Sequence, residues 1–150
     1  MSGADEDWLL GGAVRLRQAD QPLKATVDAV LLAAYAPARS GDRVLDVGSG
    51  VGTVALCLAA RVDGVRIDGV DVQAPLCAAA TLNAELNGWS DRLAFHEMDI
   101  AFPNAAFASG YDGVVTNPPY LSAVAADPPR DAARRLSMVE GSVDWPAWAA

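Results

Sequence analysis

Cysteine is nearly absent. The two present, Cys57 and Cys77, lie in apolar stretches without metal-ligand spacing, so they offer no zinc site and read as reduced core residues. Histidine occurs once, and His96, in the middle of an apolar segment, reads as structural or exposed rather than catalytic. No apolar run is long and uninterrupted enough to cross a bilayer, and the opening M-S-G-A-D-E-D lacks a basic, apolar leader. The expectation is a cytoplasmic protein without a membrane partner. Positive charge is also scarce: 11 Lys and Arg against 19 Asp and Glu leave a net charge of −8, which argues against binding nucleic acid through the whole surface. Six of those eleven cations nevertheless fall in two windows, Arg15, Arg17 and Lys24, and Arg130, Arg134 and Arg135. Both are ordinary solvated faces unless they flank one pocket.

What the chain does have is apolar residues, 52 % of 150, enough for the core of one domain. It is organised around V-L-D-V-G-S-G-V-G-T, Val44 to Thr53. Val44 to Val47 read as a short buried strand ended by glycine. Gly48, Gly50 and Gly52 allow a tight turn and close approach of a ligand to the main chain. Thr53 to Arg61 reads as a helix whose N-terminus faces that ligand. A dinucleotide fingerprint wants glycine where Thr53 stands, which disfavours a nicotinamide-dependent oxidoreductase.

In chain order, residues 1 to 12 are acidic and expected to fray, with Trp8, Leu9 and Leu10 able to dock on the body. Gly11 to Lys24 reads as a short hairpin or extended arm in which Val14 and Leu16 alternate with Arg15 and Arg17. Asp28 starts a helix through Ala29 to Tyr35, stopped by Pro37. After the glycine loop, Val65 to Val72 form a second strand with Asp71 at its end, about 20 residues past the loop, where a carboxylate can take two ribose hydroxyls. Ala74 to Asn87 form a helix, Leu93 to Asp99 a third strand, and Tyr111 to Thr116 a fourth. Strands alternating with helices predict a parallel sheet with helices on both faces and a ligand beyond the carboxyl ends of the strands.

The fourth strand delivers N-P-P-Y, Asn117 to Tyr120, the most specific signal in the chain. Two prolines fix φ and donate no N–H, which holds the Asn117 and Pro118 carbonyls out of any helix. The nitrogen of an amino group on a base or carboxamide is a poor nucleophile because its lone pair is delocalised. Two acceptors, the Asn117 side-chain oxygen and the Pro118 carbonyl, aimed at its hydrogens favour the pyramidal nitrogen of the transition state. Tyr120 would stack on a planar acceptor.

G-x-G-x-G after D-V, combined with N-P-P-Y, resembles the amino-methylating class I S-adenosylmethionine (SAM) dependent methyltransferases. Within them the chain is similar to the bacterial tRNA adenine-N6 methyltransferase group that modifies the adenine 3′ of the anticodon in a valine tRNA. The narrower likeness rests on K-A-T-V-D-A-V-L-L-A-A, Lys24 to Ala34, and on the alanine-arginine stretch from Ala133 to Trp148.

The resemblance implies an α/β, Rossmann-like fold with strand order 3-2-1-4 in the part present, SAM as cofactor and RNA, specifically tRNA, as partner. Residues 1–25 would form an N-terminal arm and 26–150 the methyltransferase domain, incomplete at its C-terminus. It assigns Asp46 and the backbone of Gly48 and Gly50 to the methionine end of SAM, Asp71 to the ribose, Val72 to packing on adenine, and Asp99 with the Ile100 amide to the adenine edge. Asn117, Pro118 and Tyr120 would orient the acceptor amine, and Thr26 and Asp28 would close the cofactor pocket. A guanine amine or a glutamine side chain would fit the same acceptor geometry, and an inactive SAM-binding module is the non-enzymatic alternative. The group's domain continues past this chain's last residue, so a truncated chain or a homodimer covering the fourth strand is expected.

Overall fold

The computed structural model describes residues 6–18, 27–107 and 109–118. Strand β1 (Glu6–Leu9) pairs antiparallel with β2 (Val14–Arg17) across a turn at Leu10–Gly12. The turn needs positive φ at Leu10, Gly11 and Gly12, and two glycines supply most of it. The sequence expectation of a frayed segment through residue 12 is therefore corrected for Glu6–Leu9. Glu6, in the acidic segment expected to fray, has partners on the opposite strand: its carboxylate accepts from Arg15 Nη2 at 3.0 Å and from Arg17 Nη2 at 2.8 Å. Both hydrogen bonds hold the Glu6 carboxyl below its usual range. Val14 and Leu16 alternate inward as their spacing predicts, and both are fully buried.

The arm attaches to helix α3 (Ala74–Leu86) through two asparagines one turn apart. Asn83 Oδ1 accepts from Arg17 N at 2.8 Å while its Nδ2 donates to Arg17 O at 3.1 Å. At the C-cap, Asn87 Oδ1 accepts from Arg15 N at 2.9 Å and its Nδ2 donates to Arg15 O at 2.7 Å. Alternate residues of a strand present their main-chain groups in one direction, and residues four apart on a helix share a face, so the two spacings match. The amides stand in for a neighbouring strand.

Four parallel strands form the main sheet in the order β5 (Leu93–Glu97), β4 (Arg66–Asp71), β3 (Arg43–Val47), β6 (Gly113–Thr116). This is the 3-2-1-4 order that the family resemblance implied. Helix α2 (Thr53–Arg61) crosses from β3 to β4 and α3 from β4 to β5. Two right-handed crossovers stepping the same way put both helices on one face. Helix α1 (Val27–Tyr35) packs on α2, where Arg61 Nε donates to Ala33 O at 3.0 Å and Nη2 to Ala36 O.

Among the described residues no α-helix covers the opposite face. On the helical side, Val44, Ile67, Leu93 and Val115 meet Leu56, Leu58 and Ala55 of α2 in one core. Each fully buried Leu or Ile there contributes about 1.5–3 kcal/mol.

The other face carries a polar cluster: Asp68 accepts from Arg43 Nη2 at 2.7 Å and from the Tyr111 hydroxyl at 3.0 Å. His96 Nε2 stands 3.6 Å from Asp68 Oδ1 and packs edge-on against Phe107, the structural role its isolation suggested. Cys57 and Cys77 are both buried thiols, and burial pushes Cys57 up to about 11, out of reach of nucleophilic chemistry. No described helix is long and apolar enough to cross a membrane, and the described residues contain no cluster able to hold a metal ion.

Candidate active site

Parallel strands all point the same way, so the ends of β3, β4, β5 and β6 gather their following residues at one edge of the sheet. Asp46 is the penultimate residue of β3, Asp71 the last of β4, and Asp99 lies two residues beyond β5. Asn117 and Pro118 follow β6 directly. The structure thus brings Asp46, Gly48, Gly50, Asp71, Val72, Asp99, Ile100, Asn117 and Pro118 to a single rim. Tyr120 and Thr26 lie outside the described residues, and Asp28 sits exposed in the first turn of α1.

The bend after β3 is held from below by β4. Gly48 N and Ser49 N both donate to Val70 O, at 2.8 and 3.0 Å, and Gly52 N donates back to Ser49 O at 2.9 Å. Gly48, Gly50 and Gly52 all have positive φ, from +55° to +86°, a conformation that L side chains rarely adopt. A Cβ at Gly52 would stand 3.0 Å from the Phe95 ring, whereas one at Gly50 would meet nothing within 4 Å. Gly50 therefore faces open space at the rim.

One glycine that the sequence pattern did not flag is equally necessary. Gly69, in the middle of β4, lies under both the loop and Phe95: a Cβ there would overlap the Phe95 ring and approach Ser49 Cβ to 2.9 Å. Overpacking of this kind costs about 1–3 kcal/mol. Gly69→Ala is expected to lose that much stability in urea unfolding, and an unchanged midpoint would show that the loop does not rest on β4 as described. The signal was available as an isolated glycine in an apolar strand.

Two carboxylates underlie the bend. Asp71 Oδ2 accepts from Gly50 N at 2.9 Å and Oδ1 from Gln73 N at 2.9 Å. Both amides at Gly48 and Gly50 are thus engaged within the protein, so any ligand contact there falls to the glycine carbonyls and Cα surfaces. Burial raises the Asp71 carboxyl against the lowering by the N–H groups of Gln73, Gly50 and Val72.

Asp46 is only 1 % exposed. Burial first, and the Asp71 charge second, push its carboxyl up to about 7, although the Ala55 N–H donates to it. Its Oδ2 has no hydrogen-bond partner, and neither has Ser49 Oγ, itself 7 % exposed. Two orphaned buried oxygens at one bend are costly unless a ligand completes them. A donor-bearing cation fits that oxygen set.

Beyond β4, Val72 is half exposed, an apolar surface beside Asp71 suited to a flat ring. Met98 N donates to Asp71 O at 2.9 Å, which draws the residues after β5 alongside the end of β4. Asp99 Oδ1 accepts from Ala101 N at 2.9 Å, closing a turn that carries Ile100. Asn83 reaches the same region, its Nδ2 also donating to Val51 O at 3.1 Å, so one buried amide joins arm, helix and glycine loop. The N-x-x-x-N spacing in α3 was the available sign of that role.

Residues 24–136 match the methyltransferase small domain family. The chain is 39 % identical over 122 residues to the tRNA1(Val) (adenine(37)-N6)-methyltransferase of Yersinia pestis (strain Pestoides F), a match that covers 81 % of this chain and 48 % of that protein. The chain thus spans about half the length of the curated relatives it matches. Among solved structures, TrmN from Thermus thermophilus superposes with a TM-score of 0.53 at 30 % identity, over 61 % of this chain and 27 % of that one. An RNA methyltransferase from Salinibacter ruber shares the fold at a TM-score of 0.53 and 24 % identity, over 63 % of this chain and 59 % of that one.

Proposed function

The chain belongs to the methyltransferase small domain family, and from that premise we propose that it binds SAM at the glycine bend and transfers the methyl group to an exocyclic amine, adenine N6 in tRNA. The observation that carries this reading is the adjacency of two corners. The D-V-G-S-G bend and the Asn117-Pro118 turn leave neighbouring parallel strands, with Val47 directly opposite Thr116. A donor site and an amine site at that separation share one small pocket.

In this reading Asp46, the Ser49 hydroxyl and the glycine carbonyls receive the methionine end, and Asp71 takes the ribose hydroxyls. Val72 packs on the adenine of the cofactor, while Asp99 and the Ile100 amide meet its edge. Bound SAM supplies an electrophilic methyl group on a sulfonium. Asn117 and the Pro118 carbonyl accept from the two hydrogens of the amine and orient its lone pair, and Tyr120 stacks on the base. Positioning and fixed dipoles carry the rate, with no strong base required. The naming of the Yersinia pestis relative supports adenine in tRNA over a guanine or glutamine amine. The anticodon loop is single-stranded, so presenting its base costs little unstacking. Of the basic windows, Arg15 and Arg17 already share the charge of Glu6, which leaves less of that window for phosphate.

Calorimetry with SAM and NAD tests the cofactor, and labelled SAM with total tRNA, ribosomal RNA or a protein extract tests the acceptor. SAM binding and label in tRNA are expected. Tight NAD binding without SAM binding would refute the assignment, and label in ribosomal RNA or protein alone would move the acceptor.

A further inference from the structure

We propose that Thr116 is a positioning residue, whose hydroxyl fixes the acceptor corner against the glycine bend by donating to the Val47 carbonyl. Its Oγ1 lies 2.9 Å from Val47 O. Strand β6 is only four residues long, and its pairing with β3 ends at Val47 and Thr116. Pro118 and Pro119 have no N–H, so no main-chain donor from either residue can extend the ladder toward β3. The Thr116 hydroxyl adds a side-chain bond to Val47 O at the last register pair of the two strands, just before two residues that cannot donate.

What it holds matters as much. Val47 immediately precedes Gly48, whose amide donates to Val70 O at 2.8 Å. The entry to the bend is therefore tied on one side to β4 through the Gly48 amide and on the other to β6 through the Val47 carbonyl. Asn117 is the next residue after Thr116, so a shift of the hydroxyl contact passes directly to the group that faces the amine. Misplacement by about 1 Å in an in-line transfer can cost on the order of 100-fold in rate. Loss of the contact should disturb donor and acceptor relative to each other while leaving each corner intact.

This inference rests on the methyl-transfer reading. Thr116→Val keeps the branched shape and removes the donor, and Thr116→Ser keeps the donor. Both are to be made in the full chain, with calorimetry of S-adenosylhomocysteine and of a bisubstrate analogue that tethers adenosine N6 to the sulfur end of the cofactor. Steady-state kinetics complete the comparison. For Thr116→Val, S-adenosylhomocysteine affinity is expected to stay within about 3-fold. The analogue should weaken by about 10-fold or more and kcat fall by about 10- to 100-fold, with KM for SAM unchanged. Thr116→Ser should recover both.

Wild-type analogue affinity and kcat in the valine variant would overturn the proposal. So would equal loss of both ligands, or a serine variant as impaired as the valine one. Wild-type protein that binds neither ligand would refute the methyltransferase reading itself and the Thr116 role with it.

Discussion

Asp46→Asn is expected to make the unliganded protein more stable at pH 8 and to weaken SAM binding at the same time. The Asp46 carboxyl rises from 3.8 in a free chain to about 7 in the fold. Between those values the folded protein holds a proton that the unfolded chain has released, so stability falls as pH rises, by about 1.4 kcal/mol per unit. Above pH 7 the full loss, up to about 4 kcal/mol, is in place. Asp71, raised by burial, adds to the slope in the same sense.

An asparagine carries no charge to desolvate and should remove most of that dependence. Urea unfolding of both proteins from pH 4.5 to 8 measures it, and identical slopes would mean that Asp46 is not the group responsible. Binding should move the other way. A hydrogen bond to a charged group is worth about 1.5–3 kcal/mol, so the variant should bind SAM about 10- to 100-fold more weakly. Wild-type affinity would remove Asp46 from the cofactor site.

Asn117→Ala should separate chemistry from cofactor binding. Removing one fixed acceptor from a transition state costs about 100- to 1,000-fold in kcat. Asn117 extends from β6, whereas the bend and its two carboxylates extend from β3 and β4, so SAM affinity is expected to stay within a few-fold. Single-turnover rates and calorimetry on the same preparation decide it. Parallel loss of rate and affinity would show that Asn117 serves the cofactor pocket rather than the amine.

The four strands and three α-helices were legible because the strands are short apolar runs, three of them ended by glycine or an acid and the fourth by N-P-P-Y, while the order of the main sheet came from the family resemblance. The right-handed crossover then leaves few ways to arrange them. The rim residues were legible for the same reason: once the strands are parallel, whatever follows each of them must meet. Two things were hidden. Pairing of Glu6 with Arg15 and Arg17 is a long-range choice, and nothing local separates a paired acid from a solvated one. The engagement of the Gly50 amide by Asp71 is likewise invisible in G-x-G-x-G, which records that the backbone is free to turn but not where its N–H groups point.

The asparagine clamp on α3 has a consequence for how this protein can change. Strand partners in a sheet are joined by main-chain groups that every residue except proline carries, so most single replacements leave them paired. Here four of the bonds that seat the hairpin run through just two amide groups. Replacing those two side chains would remove four polar ties at once and leave the hairpin seated on the helices by the buried Val14 and Leu16.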